Sequence, residues 1–292
     1  MSKILDGKIL AQKLKDTLRE ETMALKARTG SVPNLVNILI GSDPGSCAYA
    51  NSQRKIAEYV GFHYELRDLP QDISQKDLIA IVRKLNADKS VNGIMIHKPV
   101  PPQIHYRDVA NEITINKDLE GINVTNIGKM ITGDTKILPC TPAAVMEHLK
   151  STGVDLRGKE TVVVGASDIV GKPLSILLLG EMATVTVCHI ATSEAGKLEE
   201  HVRRADVLIV AVGRAGVIKG DWIKNGAIVI DVGINRVDGK IIGDVEFEAA
   251  KEKAARITPV PGGVGPVTVV MLMRNGIEAF KLQTQLSDEA KV

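Results

Sequence analysis

The sequence predicts an α/β fold in two domains with parallel sheets, on three observations. Short runs rich in β-branched residues alternate with longer amphipathic stretches. Those runs scarcely alternate between apolar and polar, and two prolines stand close together near the middle of the chain. Apolar runs without alternation suit strands buried on both faces, as in a parallel sheet, and the intervening helical patterns supply the crossovers such sheets need.

Taken in order, the N-terminal MSKILDGKILAQKL mixes charges every few residues, which reads as the start of a helix and not as an export signal. LVNILIG (35–41) reads as a buried strand, Ser46 to Val60 as an amphipathic helix and GIMIHKP (93–99) as another strand. Leu138-Pro-Cys-Thr-Pro142 interrupts secondary structure and marks a junction. A denser α/β unit follows, with strands in TVVVG (161–165), ATVTVCH (183–189), DVLIVAVG (206–213) and AIVIDVG (227–233), and a helix over Lys172 to Glu181. The expected domains are therefore 1–142 and 143–266, with a closing helix in 267–292 packing back on the first.

Composition narrows the function. The 292 residues carry 37 basic and 35 acidic side chains, a net charge of +2, and only 3% aromatics. Near-neutral charge gives no electrostatic footprint for nucleic acid or a membrane surface, and so few aromatics cannot build stacking platforms for single strands. The longest apolar runs fall far short of the roughly 20 residues that cross a bilayer. Cys47, Cys140 and Cys188 are odd in number and widely spaced, which argues against a disulfide framework and for a reducing cytoplasm. No His/Cys/Asp spacing suggests a metal site.

The strongest local signal is Thr161-Val-Val-Val-Gly-Ala-Ser-Asp-Ile-Val-Gly-Lys-Pro173. A strand ending at Gly165 and a helix opening at Gly171 would aim backbone N–H groups and a positive helix end at a phosphate. The glycines sit six apart, so the usual dinucleotide fingerprint is not met. On these residues alone, a turn without ligand stays open. The segment resembles the phosphate loop of the methylenetetrahydrofolate dehydrogenase/cyclohydrolase family. So do GSDPGSCAY (41–49), PCTP (139–142), KGDWIKNGAIVIDVGIN (219–235), GDV (243–245) and TPVPGGVGPVT (258–268), in family order over nearly the whole chain.

The resemblance implies a folate-binding N-terminal domain, a Rossmann-like C-terminal domain binding NAD or NADP, a cleft between them, and a homodimer. It implies oxidation of 5,10-methylenetetrahydrofolate to the methenyl compound, then hydrolysis to 10-formyltetrahydrofolate. Tyr49, Glu120, Pro261, Gly262 and Gly263 would face the folate. Gly165, Ala166, Ser167, Ile169, Val170, Gly171, Ile190, Val212, Gly213 and Ile234 would face the dinucleotide.

Three positions depart from the family pattern. The helical Tyr-x-x-x-Lys reads Tyr49-Ala-Asn-Ser-Gln53, so Gln53 takes the lysine's place one turn from Tyr49. Lys55 lies about 120° around the helix from Tyr49 and is a poor substitute. His97 replaces the family's glutamine, with Lys98 expected on the opposite strand face. Glu120 replaces the pterin-binding aspartate and extends the carboxylate by one methylene. Hydride transfer mainly needs two reactants positioned, whereas hydrolysis needs a titratable group near neutrality, which glutamine is not. The sequence therefore predicts a dehydrogenase with impaired hydrolysis, with His97 the rival base. A catalytically silent folate or nucleotide binder, or a dehydrogenase for an altered substrate, remains the alternative. Asp118 and Asp244 read as solvated loop acids. The NADP users of the family carry an arginine after the loop glycine, and a serine and a basic residue after the histidine; Ala166, Ile190 and Ala191 stand there, which leans to NAD, with Arg203, Arg204, Arg214, Ser193 and Lys197 the residues left to hold a 2′-phosphate.

Overall fold

The computed structural model describes residues 3–285. The chain divides into two compact units: one of Lys13–Leu138 with the residues from Val269 onward, the other of residues up to Gln12 with Pro139–Thr268.

The unit built on Lys13–Leu138 centres on a three-stranded parallel sheet. Its middle strand, β1 (Asn34–Ile40), pairs with β2 (His63–Leu69) on one side and β3 (Gly93–Ile96) on the other. β1 and β3 are buried almost throughout, which is why they read as continuous apolar runs. β2, an edge strand of sequence HYELRDL, mixes exposed and half-buried positions; its charges concealed it from the apolar pattern. Around the sheet lie α1 (Gly7–Thr29), α2 (Pro44–Val60), α3 (Gln75–Ala87), α4 (Tyr106–Glu112) and α5 (Val124–Thr132). α2 starts two residues before the amphipathic pattern does. Pro44 fills its first turn, and the Asp43 carboxylate accepts the free Ser46 N–H at 2.8 Å. Ile38, Ile94 and Ile96 pack with Leu78, Val82 and Val109 in the core of this unit.

The other unit contains a five-stranded parallel sheet in the order β10-β7-β6-β4-β5. Its strands are β4 (Glu160–Val164), β5 (Thr184–Cys188), β6 (Val207–Val210), β7 (Ile228–Asp231) and β10 (Arg256–Ile257). A small hairpin, β8 (Asn235–Val237) with β9 (Lys240–Ile242), follows β7. Helices α6 (Cys140–Thr152), α7 (Gly171–Gly180), α8 (Ile190–Glu194), α9 (Leu198–Arg204) and α10 (Phe247–Lys253) complete it. Val162, Leu208 and Val229 meet Val202 and Ala250 in its core.

Two features differ from the expected division. The break falls between Leu138 and Pro139, and the first twelve residues belong with the five-stranded sheet. Leu5 N–H donates to Ile257 O at 2.8 Å and Ile257 N–H to Lys3 O at 2.9 Å, so the N-terminal segment adds a bridge to β10. The closing helix α11 (Val264–Thr284) starts earlier than expected and contributes to both units. Within the three-stranded unit its Asn275 amide donates to the carbonyls of Leu119 and Leu138, each at 2.8 Å. Residues 286–292, included in the expected closing helix, lie outside the described residues.

Candidate functional site

On α2, Tyr49 and Gln53 stand one turn apart and so share a side of the helix. Gln53 is fully buried and spans all three strands. Its Oε1 accepts from Asn37 Nδ2 on β1 at 2.6 Å and from the Tyr64 hydroxyl on β2 at 3.2 Å. Its Nε2 donates to Met95 Sδ on β3 at 3.3 Å. The side chain standing in the family lysine's place is thus a fixed part of helix–sheet packing, with no ionisable proton.

His97 follows directly after β3, its N–H donating to Ile38 O at 2.8 Å. Its ring stands edge-on to Tyr49 with centroids 5.9 Å apart, so the structure brings two predicted site residues together. Burial pushes the imidazole down to about 4, which keeps it neutral at physiological pH. His97 Nε2 and Asn37 Oδ1 are buried polar atoms without a hydrogen-bond partner. Such atoms are rare in folded proteins and cluster where a ligand or water completes the set.

Glu120 is presented by a loop that its own motif builds. Lys117 Nζ, expected at the surface of any charged run, instead donates to the carbonyls of Leu85, Asn86 and Asp88. Asp118 is not the solvated acid the sequence suggests. It is buried and accepts from Gly121 N–H, Asn123 N–H and Asn126 Nδ2 at 2.9–3.0 Å, bonds that bind the loop to the start of α5. Burial raises its carboxyl despite those donors. With Lys117 and Asp118 committed to structure, Glu120 is the member of the motif turned to other work. Its Oε2 accepts from the Tyr106 hydroxyl at 2.6 Å. Burial pushes it up to about 7, opposed by the Tyr106 bond and the Lys98 charge. β3 ends at Ile96, so strand alternation sets no face for Lys98. Its ammonium lies 4.6 Å from the centroid of the Tyr106 ring. Tyr106, Asn37 and Tyr64 carried no signal at the sequence level, because only the fold brings them to Glu120 and Gln53.

The remaining site residues lie in the five-stranded unit. Counting outward from β4, the chain goes first to β5 on one side and then to β6 on the other, which makes the gap between β4 and β6 a topological switch point. The turns after these two strands hold Gly165, Ala166, Ser167, Ile169, Val170 and Gly171, and Val212 and Gly213. Gly165 has φ +118, and a Cβ there would strike the Ala211 carbonyl. A Cβ on Gly171 would strike the Gly165 carbonyl, so both glycines are needed for the turn to close onto the N-terminus of α7. Ile169, Ile190, Val212 and Ile234 are all exposed, in the segments that follow β4, β5, β6 and β7 respectively. Pro261, Gly262 and Gly263 belong to this unit as well, with Gly262 O accepting from Gly7 N–H at 2.9 Å.

Asp244 also corrects the sequence reading. It is completely buried and accepts from the successive N–H groups of Val212, Gly213 and Arg214 at 2.8–2.9 Å, and from Asn235 Nδ2 at 2.8 Å. Asp231, pushed up to about 6 by burial, accepts in turn from the N–H groups of Gly233, Asp244 and Val245. The loop after β6 is therefore shaped by a carboxylate 30 residues further on.

Residues 5–120 match the catalytic domain of tetrahydrofolate dehydrogenase/cyclohydrolase, and residues 139–284 match its NAD(P)-binding domain. The chain belongs to that family. It is 49% identical over 279 residues to the bifunctional protein FolD of Bacillus pumilus, covering 95% of this chain and 97% of that one. The Bacillus subtilis bifunctional protein FolD is 47% identical, with the same coverage. Among solved structures, FolD from Campylobacter jejuni superposes with a TM-score of 0.92 at 42% identity, covering 96% of this chain and 98% of that one. The Trypanosoma brucei enzyme, solved with NADP and an inhibitor, gives 0.91 at 38%, covering 97% and 98%. The NAD-dependent dehydrogenase of Saccharomyces cerevisiae gives 0.78 at 25%, also covering 97% and 98%. As in those relatives, the fold of a tetrahydrofolate dehydrogenase/cyclohydrolase is a two-domain α/β architecture with a Rossmann-like second sheet. The glycine turn at the switch point and the exposed aliphatic side chains suit a dinucleotide with a phosphate bridge and flat apolar rings. No helix among the described residues is long and apolar enough to cross a membrane.

Proposed function

We propose that this chain is a methylenetetrahydrofolate dehydrogenase that works with NAD, and that its hydrolysis of the methenyl product is slow. The observation that carries this reading is Gln53, which sits in the lysine's place and is held by Asn37, Tyr64 and Met95. A bound nicotinamide ring supplies the hydride acceptor. The chain's own part in that step is to bind and orient: Glu120 and Tyr49 on the folate, the 165–171 turn on the phosphates, Val212 and Gly213 beside the ring. Orientation alone supplies several kcal/mol of barrier lowering. Hydrolysis asks more, because a proton must leave the attacking water.

His97 offers a second reading, favoured by its contact with Tyr49 and its unpartnered Nε2. A neutral imidazole with a pKa near 4 accepts a hydrogen bond from water but is a weak base at pH 7. The two readings separate on one assay. Methenyl absorbance is followed with methylenetetrahydrofolate and NAD, before and after acid returns any formyl product to methenyl. Accumulating methenyl is the expected result. Formyl product without a methenyl lag, abolished in His97→Ala while reduced nicotinamide still forms, assigns hydrolysis to His97 and overturns the proposal for Gln53.

The NAD preference rests on charge. A 2′-phosphate needs cations, and the basic side chains that follow Ile190 as far as α9 are engaged elsewhere, which leaves Arg214 as the cation that could serve NADP. Arg203 bonds Glu199 and the Asp221 carbonyl, Arg204 bonds Thr186 and faces Glu160, and Lys197 faces Glu200. Ile190 offers exposed hydrocarbon instead. kcat/KM with NAD should exceed that with NADP by at least about tenfold, the worth of one charge-assisted bond. Equal or better use of NADP refutes the preference. A homodimer in a reducing cytoplasm completes the proposal, and light scattering at assay concentration tests the dimer.

A further inference from the structure

The segment after β3 places an amine beside the carboxylate that matches the family's pterin ligand. Lys98 Nζ lies over the Tyr106 ring, and the Tyr106 hydroxyl donates to Glu120 Oε2. The three residues come from three separately anchored segments. The Lys98 carbonyl accepts from Ser46 Oγ at 2.8 Å, tying that segment to the start of α2. Tyr106 opens α4, and Asp118 holds the loop of Glu120. Glu120 is one methylene longer than the family's aspartate, and here one of its oxygens is already taken by Tyr106. Its carboxylate is therefore read by a tyrosine and a lysine before any ligand arrives.

Along one edge, the bicyclic head of a folate presents a C4 carbonyl, then the N3–H, then the C2 amino group: one acceptor followed by two donors. An ammonium next to a carboxylate presents the complement, donors followed by acceptors. We propose, resting on the folate reading above, that Lys98 is a specificity-determining residue that donates to the C4 carbonyl of the head while Glu120 accepts from its N–H groups. Tyr106 keeps the two charges in register, stacking under one and hydrogen-bonding the other. A cation held over a ring face is loosely kept at an exposed site, so the amine is available to a better acceptor. Lys98 is exposed, and its replacement leaves the buried core intact.

The test compares folic acid with its 4-amino analogue, which puts a donor where Lys98 expects an acceptor and also leaves N3 without the hydrogen that Glu120 would accept. Calorimetric titration of the unaltered protein should show the 4-oxo compound binding at least about tenfold tighter. Lys98→Met should cut that preference several-fold, leaving only the part that Glu120 draws from the N3–H, and Lys98→Arg should retain most of it. With methylenetetrahydrofolate, Lys98→Met should raise KM about tenfold while kcat stays within a few-fold, because the contact is made equally in ground and transition states. If Lys98→Met keeps the unaltered protein's preference, the role of Lys98 is overturned while the folate reading stands. If the unaltered protein binds neither compound and does not turn over methylenetetrahydrofolate, the folate reading falls and this inference with it.

Discussion

Gln53→Lys should raise the rate of methenyl hydrolysis by about 10²-fold or more, the lower range of what a positioned acid–base group contributes. The site is prepared for an amine. Asn37 has a buried, unpartnered Oδ1, and the Tyr64 hydroxyl already points at position 53. An ammonium there would find two oxygen acceptors, and the complete burial of the position would pull its pKa down towards neutrality. The same burial makes the change costly, since the Met95 contact of the amide is lost and a charge must be desolvated. A fall of several degrees in unfolding temperature alongside the gain in hydrolysis is therefore part of the expectation. Dehydrogenation should change little. No gain in acid-sensitive product from folded Gln53→Lys would remove Gln53 as the cause of slow hydrolysis.

The second large effect concerns a residue that touches no proposed ligand. Asp244→Ala strips the acceptor from three consecutive backbone N–H groups and the Asn235 amide. Each buried donor left unsatisfied costs about 1–3 kcal/mol, less where water reaches it. A loss of about 3 kcal/mol or more in stability is expected, read by thermal unfolding, with NAD affinity down about 10²-fold because Val212 and Gly213 are no longer held. Asp244→Asn keeps one acceptor oxygen and should fall between. If NAD titration and unfolding temperature are both unchanged in Asp244→Ala, the carboxylate does not organise the loop.

These cases show where sequence reading succeeds and stops. Buried parallel strands such as β1, β4 and β6 leave an apolar run with β-branched residues, and the switch-point glycines leave a motif, so fold class and the proposed dinucleotide turn were legible. β2 was not, because its exposed and half-buried positions carry charges that break up the apolar run. Asp118 and Asp244 misled for a different reason. Their donors are mostly backbone N–H groups, which every residue has, so nothing in the side-chain pattern marks those carboxylates as buried. Tyr106 and Lys98 were opaque because their meaning depends on Glu120, brought near by a loop that Asp118 ties. The Gln53 substitution was visible; the cluster that fixes it was not.

The pairing of Lys3 and Leu5 with Ile257 bears on how the protein is made. At about 5–20 residues per second, a ribosome takes on the order of tens of seconds to reach the partner of the first strand-like segment. The three-stranded unit waits as well, since Asn275 secures Leu119 and Leu138 from 156 and 137 residues further along the chain. Neither unit closes before the residues of α11 have been translated. Both finish in the same late interval, when α11 emerges, and until then β1 lacks the part of its cover that Gly276 brings to Leu35. Newly made chains should thus depend on chaperones more than their size suggests, and premature termination before α11 should yield fragments in which neither unit is complete.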